Sequence, residues 1–319
     1  MQQAINSPKY AFNNLSMLAV IIEPKKVRLR QFFGTFIPTA KNTEPTVQNI
    51  ISLIIFCQIS ITTLSAEQLD TVLKTVSKSF DMSTCREFTV EAGRPDTIDI
   101  AKLFALKENK VDRISINPQT VNDEVLKTIG RKHTAQQFFD AFELARKCGF
   151  DNINTDLIAG LPTDTPESFK NSLDSIVRLN AECITVHTLC MKRASRLTTE
   201  GVTLDLQQAR DAREMLAYTQ NILGQNEYIP YYMYRQSRMV GNLENVGWSK
   251  RGFESLYNVY VMDETHTILA CGSGGVTKLK RNNPDYLERI FNFKYPYEYI
   301  DRFDELIQRK SGIMQFYGQ

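Results

Sequence analysis

A chain of 319 residues, 42% of them hydrophobic, can bury one large core or a core with an appendage. Its 38 basic and 36 acidic residues leave a net charge of +2, which gives no case for a general nucleic-acid binder. The six cysteines (57, 85, 148, 183, 190 and 271) contain no CxxC pair, and the three separated histidines (133, 187 and 266) add no readable metal motif. Cysteines scattered in this way point to reduced, buried thiols and a cytoplasmic setting.

The first 62 residues read as poorly specified. Met17–Ile22 is apolar, a basic run follows at Lys25–Arg30, and Ile50–Cys57 is a second apolar run. The stronger charge comes after the apolar core rather than before it, unlike a signal peptide. Neither run approaches the ~20 apolar residues of a membrane-spanning helix.

From Leu64 onward the local signals sharpen. Ser65-Ala66-Glu67-Gln68 is a capping box, and Leu69, Val72, Leu73 and Val76 give one apolar helical face to about Ser79. Phe88–Ala92 reads as a strand stopped by Gly93-Arg94-Pro95, and a helix follows from Thr97 to about Glu108. Val111–Ile116 is the next strand, Asn122 caps a short helix that Gly130 closes, and Thr134-Ala135-Gln136-Gln137 is a second capping box. That helix ends at Cys148-Gly149, a glycine C-cap.

Asp151–Pro162 then reads as a buried strand, Ile153 to Ile158, leading into a Gly-Leu-Pro turn. Thr165-Pro166-Glu167 marks the next helix start, and Cys183–Leu189 the next strand. Four strands joined by helical crossovers predict a parallel sheet, open or closed into a barrel.

Beyond Leu189 the rhythm changes. A long helix is expected over Leu204–Leu223 and an aromatic strand over Tyr228–Tyr234. Tyr257–Met262 and Thr267–Cys271 read as a hairpin-like pair, followed by Gly272–Gly275 and a tail helix around Tyr297–Arg309. The expected organisation is a segment 1–62, a partial (β/α) core over 63–195 and an α+β C-terminal extension over 196–319.

Glu91, Gln119, Arg131, Asp156 and Cys190 fall at or just beyond strand ends, which in a parallel sheet converge on one face. Together they could hold a zwitterion carrying hydroxyls: Arg131 forking a carboxylate, Glu91 pairing an ammonium, Asp156 accepting from a ribose. Bland readings stand beside this one. Glu91 could pair with Arg94 at a strand end, and Gln119 and Arg131 taken singly read as solvated loop residues. Gly272–Gly275 could cradle an anion or be only a turn. His187 reads as a core histidine, and Tyr231, Tyr232 and Tyr234 as core and rim packing rather than a porphyrin platform. Asp156 is the hardest to set aside, because a carboxylate inside an apolar strand is costly without partners.

Four stretches in order, EFTVEAGRPDTI (87–98), RISINPQTVNDEVLKTIGRKH (113–133), NINTDLIAGLPTDTPESF (152–169) and VHTLCMKRAS (186–195), resemble the oxygen-independent coproporphyrinogen III oxidases. These are radical S-adenosylmethionine (SAM) enzymes of heme biosynthesis, and the resemblance is to their coproporphyrinogen dehydrogenase-like branch. YYMYRQ (231–236) and GNLENVGWSKRGFESLYNV (241–259) are similar to the same branch.

The resemblance implies an incomplete radical-SAM (β/α)6 partial TIM barrel with an α+β extension, binding S-adenosylmethionine and a [4Fe-4S] cluster. It implies that Glu91 contacts the cluster-bound S-adenosylmethionine, and that Gln119, Arg131, Asp156 and the backbone near Cys190 contact a second one. It implies a tetrapyrrole substrate, coproporphyrinogen III-like, whose propionates are oxidatively decarboxylated to vinyl groups. A heme-trafficking role is the alternative, because a sister group of these enzymes carries heme. That group's His-Asn…Tyr-Trp signature has no counterpart around Trp248, where Glu244-Asn245 stands instead.

One part departs from the family. The CxxxCxxC cluster motif is absent, and Gln58-Ile59-Ser60-Ile61-Thr62 stands where the family has a GGTPT turn. Three thiolates at that spacing let one loop hold three irons. The expectation is a frameshifted, mis-started or truncated gene product upstream of about Thr62, without radical activity of its own. The strand at Phe88–Ala92 would then present an unpaired edge unless residues 1–60 cover it.

Overall fold

The computed structural model describes residues 17–22, 27–28, 46–47, 53–58, 64–190, 206–236, 239–282 and 285–317. Its strands in chain order are β1 (Met17–Ile22), β2 (Val27–Arg28), β3 (Thr46–Val47), β4 (Leu53–Gln58), β5 (Cys85–Gly93), β6 (Arg113–Ile116), β7 (Ile153–Ala159), β8 (Cys183–Thr188), β9 (Ile229–Tyr234), β10 (Asn245–Ser249), β11 (Thr267–Cys271), β12 (Val276–Asn282) and β13 (Asp285–Phe291). The chain divides into two compact units. One draws on Gly93–Asp99 and Ile114–Glu254, the other on Leu15–Ala92, Ile100–Arg113 and Ser255–Gln319.

The first unit is built on parallel pairing of β6 with β7 and of β7 with β8. β10 then runs antiparallel to both β8 and β9. The helices between the parallel strands begin where the sequence places their caps. Thr134 and Gln137 make a reciprocal capping box for Ala135–Lys147, and Thr165 accepts from Ser168 N ahead of Pro166 at the start of Pro166–Arg178. Phe138, Phe142 and Phe150 are at most 2% exposed, and each contributes roughly 1.5–3 kcal/mol of transfer free energy.

The Gly-Leu-Pro turn after β7 is fixed by the long helix Leu206–Gln225. Gly160 has φ +77, and a Cβ there would lie 3.2 Å from the Ala212 Cβ. Gln208 Nε2 donates to Gly160 O at 2.9 Å. Glycine thus meets a positive φ and a close helix approach at one position. Ile158, Leu161, Leu189, Ala212 and Val240 form the buried cluster beneath the turn.

In the second unit β1 lies antiparallel to β4 and to β5, β4 runs parallel to β11, and β12 and β13 continue antiparallel from β11. Both apolar runs of the N-terminal segment therefore supply strands. β1 lies along the edge expected to be open, with Leu18 opposite Val90 and Val20 opposite Phe88. The loop residues 59–62, where the family turn is missing, lie outside the described residues.

Two expectations are corrected in this unit, and at Gly272–Gly275 the turn reading holds. Tyr257–Met262 is not a strand but lies within the helix Leu256–Asp263, capped by Ser255. The expected tail helix is split into Pro296–Asp301, Phe303–Lys310 and Gly312–Tyr317. Gly272–Gly275 is a turn whose amides serve the protein: Gly274 N donates to Phe293 O, Gly275 N to Gly272 O and Gly272 N to the Tyr299 hydroxyl.

The helical outcome at Tyr257 has a long-range cause. The carboxylate of Glu87, 6% exposed on β5, accepts from Ser255 Oγ at 3.0 Å and from Leu256 N at 2.6 Å. Thr89 Oγ1 adds a third donor at 3.0 Å. An anion at the start of a helix satisfies its open N–H groups and complements its dipole. A β-branched and aromatic run with strand propensity is thereby held as helix, and it packs on Ile268 through Leu256, Tyr257, Tyr260 and Val261.

Lys310 is the second buried ion of this unit, 8% exposed. Its Nζ donates to Ala270 O at 3.0 Å and to Thr277 Oγ1 at 2.6 Å. Burial lowers its pKa to about 8, against the partial support of Cys271.

Two stability measurements follow. Glu87→Ala strands the helix N-terminus inside the protein and is expected to cost about 2–3 kcal/mol in urea unfolding; a loss below about 0.5 kcal/mol would remove Glu87 from the capping role. For Lys310 the folded pKa lies below the unfolded one, so the unfolded chain holds more protons between about pH 8 and 10.5. Stability therefore rises with pH across that window and carries the full burial cost of the charge below it. Lys310→Met is expected to gain roughly 1–2 kcal/mol at pH 7, after the lost hydrogen bonds are set against burial. The gap to wild type should close toward pH 10, and a pH-independent gap would contradict the assignment.

Candidate adenosyl-ligand site

The polar face of the first unit is written in alternate positions of its strands. On β7, Asn154 and Asp156 point to the side opposite Ile153, Thr155 and Leu157, and on β8 Thr185 and His187 share that side. Asn154 Nδ2 donates to Ser115 Oγ at 2.8 Å and to Asp156 Oδ1 at 2.9 Å, while Thr185 Oγ1 donates to Asn154 Oδ1 at 3.2 Å. The other carboxylate oxygen of Asp156 lies 3.5 Å from His187 Nε2. His187 Nδ1 in turn lies 3.3 Å from the Tyr234 hydroxyl. His187 thus stands between the Asp156 carboxylate and the Tyr234 hydroxyl.

His187 is therefore not a plain core histidine, as the sequence alone suggested, but a partner of Asp156. The tyrosines of β9 are also more than packing. Tyr232 and Tyr234 stack at 6.2 Å with rings 7° from parallel, and the Tyr232 hydroxyl lies 3.4 Å from Thr185 Oγ1. Reaching Thr185 requires the ring to cross β10 at Gly247, where a Cβ would fall 1.8 Å from Tyr232 Cε1. Burial, more than any neighbour, raises the pKa of both phenols, with Asp156 adding to it, so both remain protonated donors at neutral pH.

Gln119 follows β6 in a left-handed conformation, φ 70, that a non-glycine residue adopts only when its surroundings impose it. They do so by two backbone bonds to β7: Gln119 N donates to Asp156 O at 3.0 Å, and Ile158 N donates to Gln119 O at 2.9 Å. Gln119 is thus laid alongside the residues that flank Asp156. The preceding Pro118 is pinned through its carbonyl, 3.1 Å from Nε2 of the buried His133. A carbonyl only accepts, so Nε2 carries the proton, and Nδ1 is buried without a hydrogen-bond partner. Burial, the largest cause, lowers the His133 pKa and keeps the ring neutral.

Arg131 stands on the loop that carries His133. It is half-buried rather than solvated, and burial together with the nearby Arg94 lowers its pKa to about 10, with Asp96 opposing. It remains cationic at neutral pH. Arg94 itself forks Asp96 at 3.1 and 2.9 Å. Cys190, just past β8, bridges to Met239 through the backbone and acts on the Tyr234 hydroxyl.

Gln119, Arg131, Asp156 and Cys190 therefore all belong to the first unit, with Gln119 tied to Asp156 through the backbone of β7. Glu91 belongs to the second unit, where its charge acts on the buried Tyr257 hydroxyl. Asn154, Thr185 and Gly247 escaped the sequence reading, which weighed His187, Tyr232 and Tyr234 only as core or rim packing. The pairs Asn154/Asp156 and Thr185/His187, polar at i and i+2 in apolar strands, were the available signal. Among the described residues no three His, Cys, Asp or Glu side chains gather to hold a metal ion. No helix among them is long and apolar enough to cross a membrane.

Residues 67–176 match the radical SAM superfamily. The chain is 39% identical over 255 residues to the oxygen-independent coproporphyrinogen-III oxidase-like protein HemZ of Bacillus subtilis, covering 80% of this chain and 51% of the relative. It is 34% identical over 230 residues to the heme chaperone HemW of Lactococcus lactis, covering 69% of this chain and 56% of that one. The chain thus spans about half the length of these relatives. Among solved structures, the coproporphyrinogen III oxidase HemN of Escherichia coli matches with TM-score 0.58 and 20% identity, over 76% of this chain and 54% of that one. This supports an α/β fold of the partial radical-SAM TIM-barrel kind, in a family characterised by S-adenosylmethionine and a [4Fe-4S] cluster. Residues 67–176 thus carry a radical SAM region, and the chain around them, with the ordered motifs that hold Gln119, Arg131 and Asp156, is similar to the oxygen-independent coproporphyrinogen III oxidase-like proteins.

Proposed function

We propose that the polar face around Asp156 binds the adenosyl portion of S-adenosylmethionine, and that the chain is a coproporphyrinogen oxidase-type protein, of the class that oxidatively decarboxylates tetrapyrrole propionates, inactive by itself for want of cluster ligands. The observation that carries the binding reading is the half-buried Asp156 carboxylate, with Asn154 Nδ2 on one oxygen and the His187 ring beside the other. A carboxylate fixed in this way accepts hydrogen bonds from a vicinal diol without having to reorganise. Arg131 supplies a cation for the ligand's carboxylate, the strained Gln119 an amide, and the backbone near Cys190 a further contact.

The residues fit the adenosyl ligand and do not fit the cluster. The sequence has no CxxxCxxC, and among the described residues no side-chain set could replace it. When bound, S-adenosylmethionine supplies the radical-generating group. This chain's residues orient the nucleoside, and the protonated Tyr232 and Tyr234 line the same polar face.

A heme-carrying role is the second reading, favoured by the 34% identity to the Lactococcus lactis heme chaperone. His187 and His266 would be the axial candidates. His187 is committed to Asp156 and Tyr234, and His266 stacks on Tyr260 at 3.8 Å, so neither ring is set aside for iron.

Calorimetric titration with S-adenosylmethionine should show binding that Asp156→Asn weakens at least tenfold, about 1.4 kcal/mol, while the urea midpoint stays in place. Equal affinity in the two proteins would take Asp156 out of the site. Heme titration should give no saturable Soret shift. A one-to-one shift abolished by His187→Ala or His266→Ala would instead establish the carrier reading.

A further inference from the structure

The second unit contains a small cavity remote in sequence from the motifs of the adenosyl site. It has a volume of about 80 Å³ and is lined by Cys271, Thr277, Tyr299, Phe303, Leu306 and Lys310 among others. One water needs roughly 10–15 Å³ measured in this way, so the space exceeds that of a single solvent molecule. Its walls are mostly apolar, and two of the lining side chains are nucleophiles, the Lys310 amine and the Cys271 thiol.

The amine is placed unusually. Both groups that receive its hydrogen bonds, Ala270 O and Thr277 Oγ1, are neutral, and the side chain is 8% exposed. Stability does not require it: Ala270 O also accepts from Asn292 Nδ2, and Thr277 Oγ1 also accepts from Ala270 N. A lysine held among apolar groups without a carboxylate keeps part of its population as free amine near neutral pH, and that form bears the nucleophilic lone pair. The lowered pKa of Lys310 agrees with this.

We propose that Lys310 is a carbonyl-capturing residue, whose amine forms an imine with a short, uncharged, apolar aldehyde admitted to the cavity it shares with Cys271. The nitrogen lone pair makes the new bond to the carbonyl carbon, and one nitrogen proton passes to the carbonyl oxygen. The carbinolamine hydroxyl then leaves as water with the second nitrogen proton, so no oxidant or further reactant is consumed. The cavity sets the ligand class: its size excludes long chains, and its apolar lining excludes carboxylated aldehydes. A hemithioacetal on Cys271 could form in the same space, but it has no C=N bond for a hydride to fix.

The test is reductive trapping of the intact chain with propanal and cyanoborohydride at about pH 7.5, read by peptide mass mapping. Lys310 should gain a propyl group at least tenfold faster than the exposed Lys74, whose side chain is 61% exposed. This advantage should vanish in denaturing urea and with glyoxylate, the charged probe. Lys310→Met should lose that adduct and keep the circular dichroism of the wild type. Labelling of Lys310 no faster than Lys74 would overturn the proposal, as would an advantage that persists in urea or holds equally for glyoxylate.

Discussion

The first unit depends on satisfying one carboxylate inside an apolar strand. Asp156 stands at the centre of β7 between Thr155, fully buried, and Leu157, also fully buried. Leaving such a charge unpaired would cost several kcal/mol. The strand cannot solve this alone, so the neighbours on each side contribute: Asn154 from the same strand, His187 from β8 and, through His187, Tyr234 from β9. That requirement dictates which strand faces are polar and where a glycine must stand. Gly247 is the consequence farthest removed from Asp156, since it clears the path by which Tyr232 reaches Thr185 across β10.

What was legible in the sequence was local. Capping boxes at Ser65 and Thr134, the Thr165-Pro166 start and the glycine stops at Gly130 and Gly149 depend on residues within one turn, and each is found in place. Asp156 was legible because it violates the apolar pattern of its own strand. Its partners were not, because Thr185, His187 and Tyr234 become neighbours only when β8 and β9 are aligned with it.

The helix Leu256–Asp263 shows the same division from the other side. Its sequence favours a strand, and nothing within it announces helix beyond Ser255. The carboxylate that completes its N-terminus comes from Glu87, 169 residues earlier than Leu256. Tertiary context overrides propensity here because four hydrogen-bond donors meet one buried anion, Thr89 and Ser255 hydroxyls with the Leu256 and Tyr257 amides. β12 and β13 were missed for a related reason. Lys278, Lys280 and Arg281 interrupt the apolar pattern of β12, yet Thr277 and Leu279, which alternate with Lys278 and Lys280, are fully buried.

Asp156 is a half-buried carboxylate and Glu87 a buried one, and they differ in their partners. Glu87 is met by four donors that belong to the fold, so its capacity to accept is taken up and it serves as a structural anchor. Asp156 has one donor at 2.9 Å on one oxygen and the His187 ring at 3.5 Å on the other. An anion has room for about four hydrogen bonds, so Asp156 retains accepting capacity that a ligand can use, and its side chain is 18% exposed, unlike the sealed Glu87. Hydroxyl groups suit that vacancy better than a cation, since Arg131 already brings positive charge to the loop that holds Gln119 in register with β7. The carboxylate that the fold leaves partly unsatisfied is therefore the one of the two with capacity left to accept from a ligand.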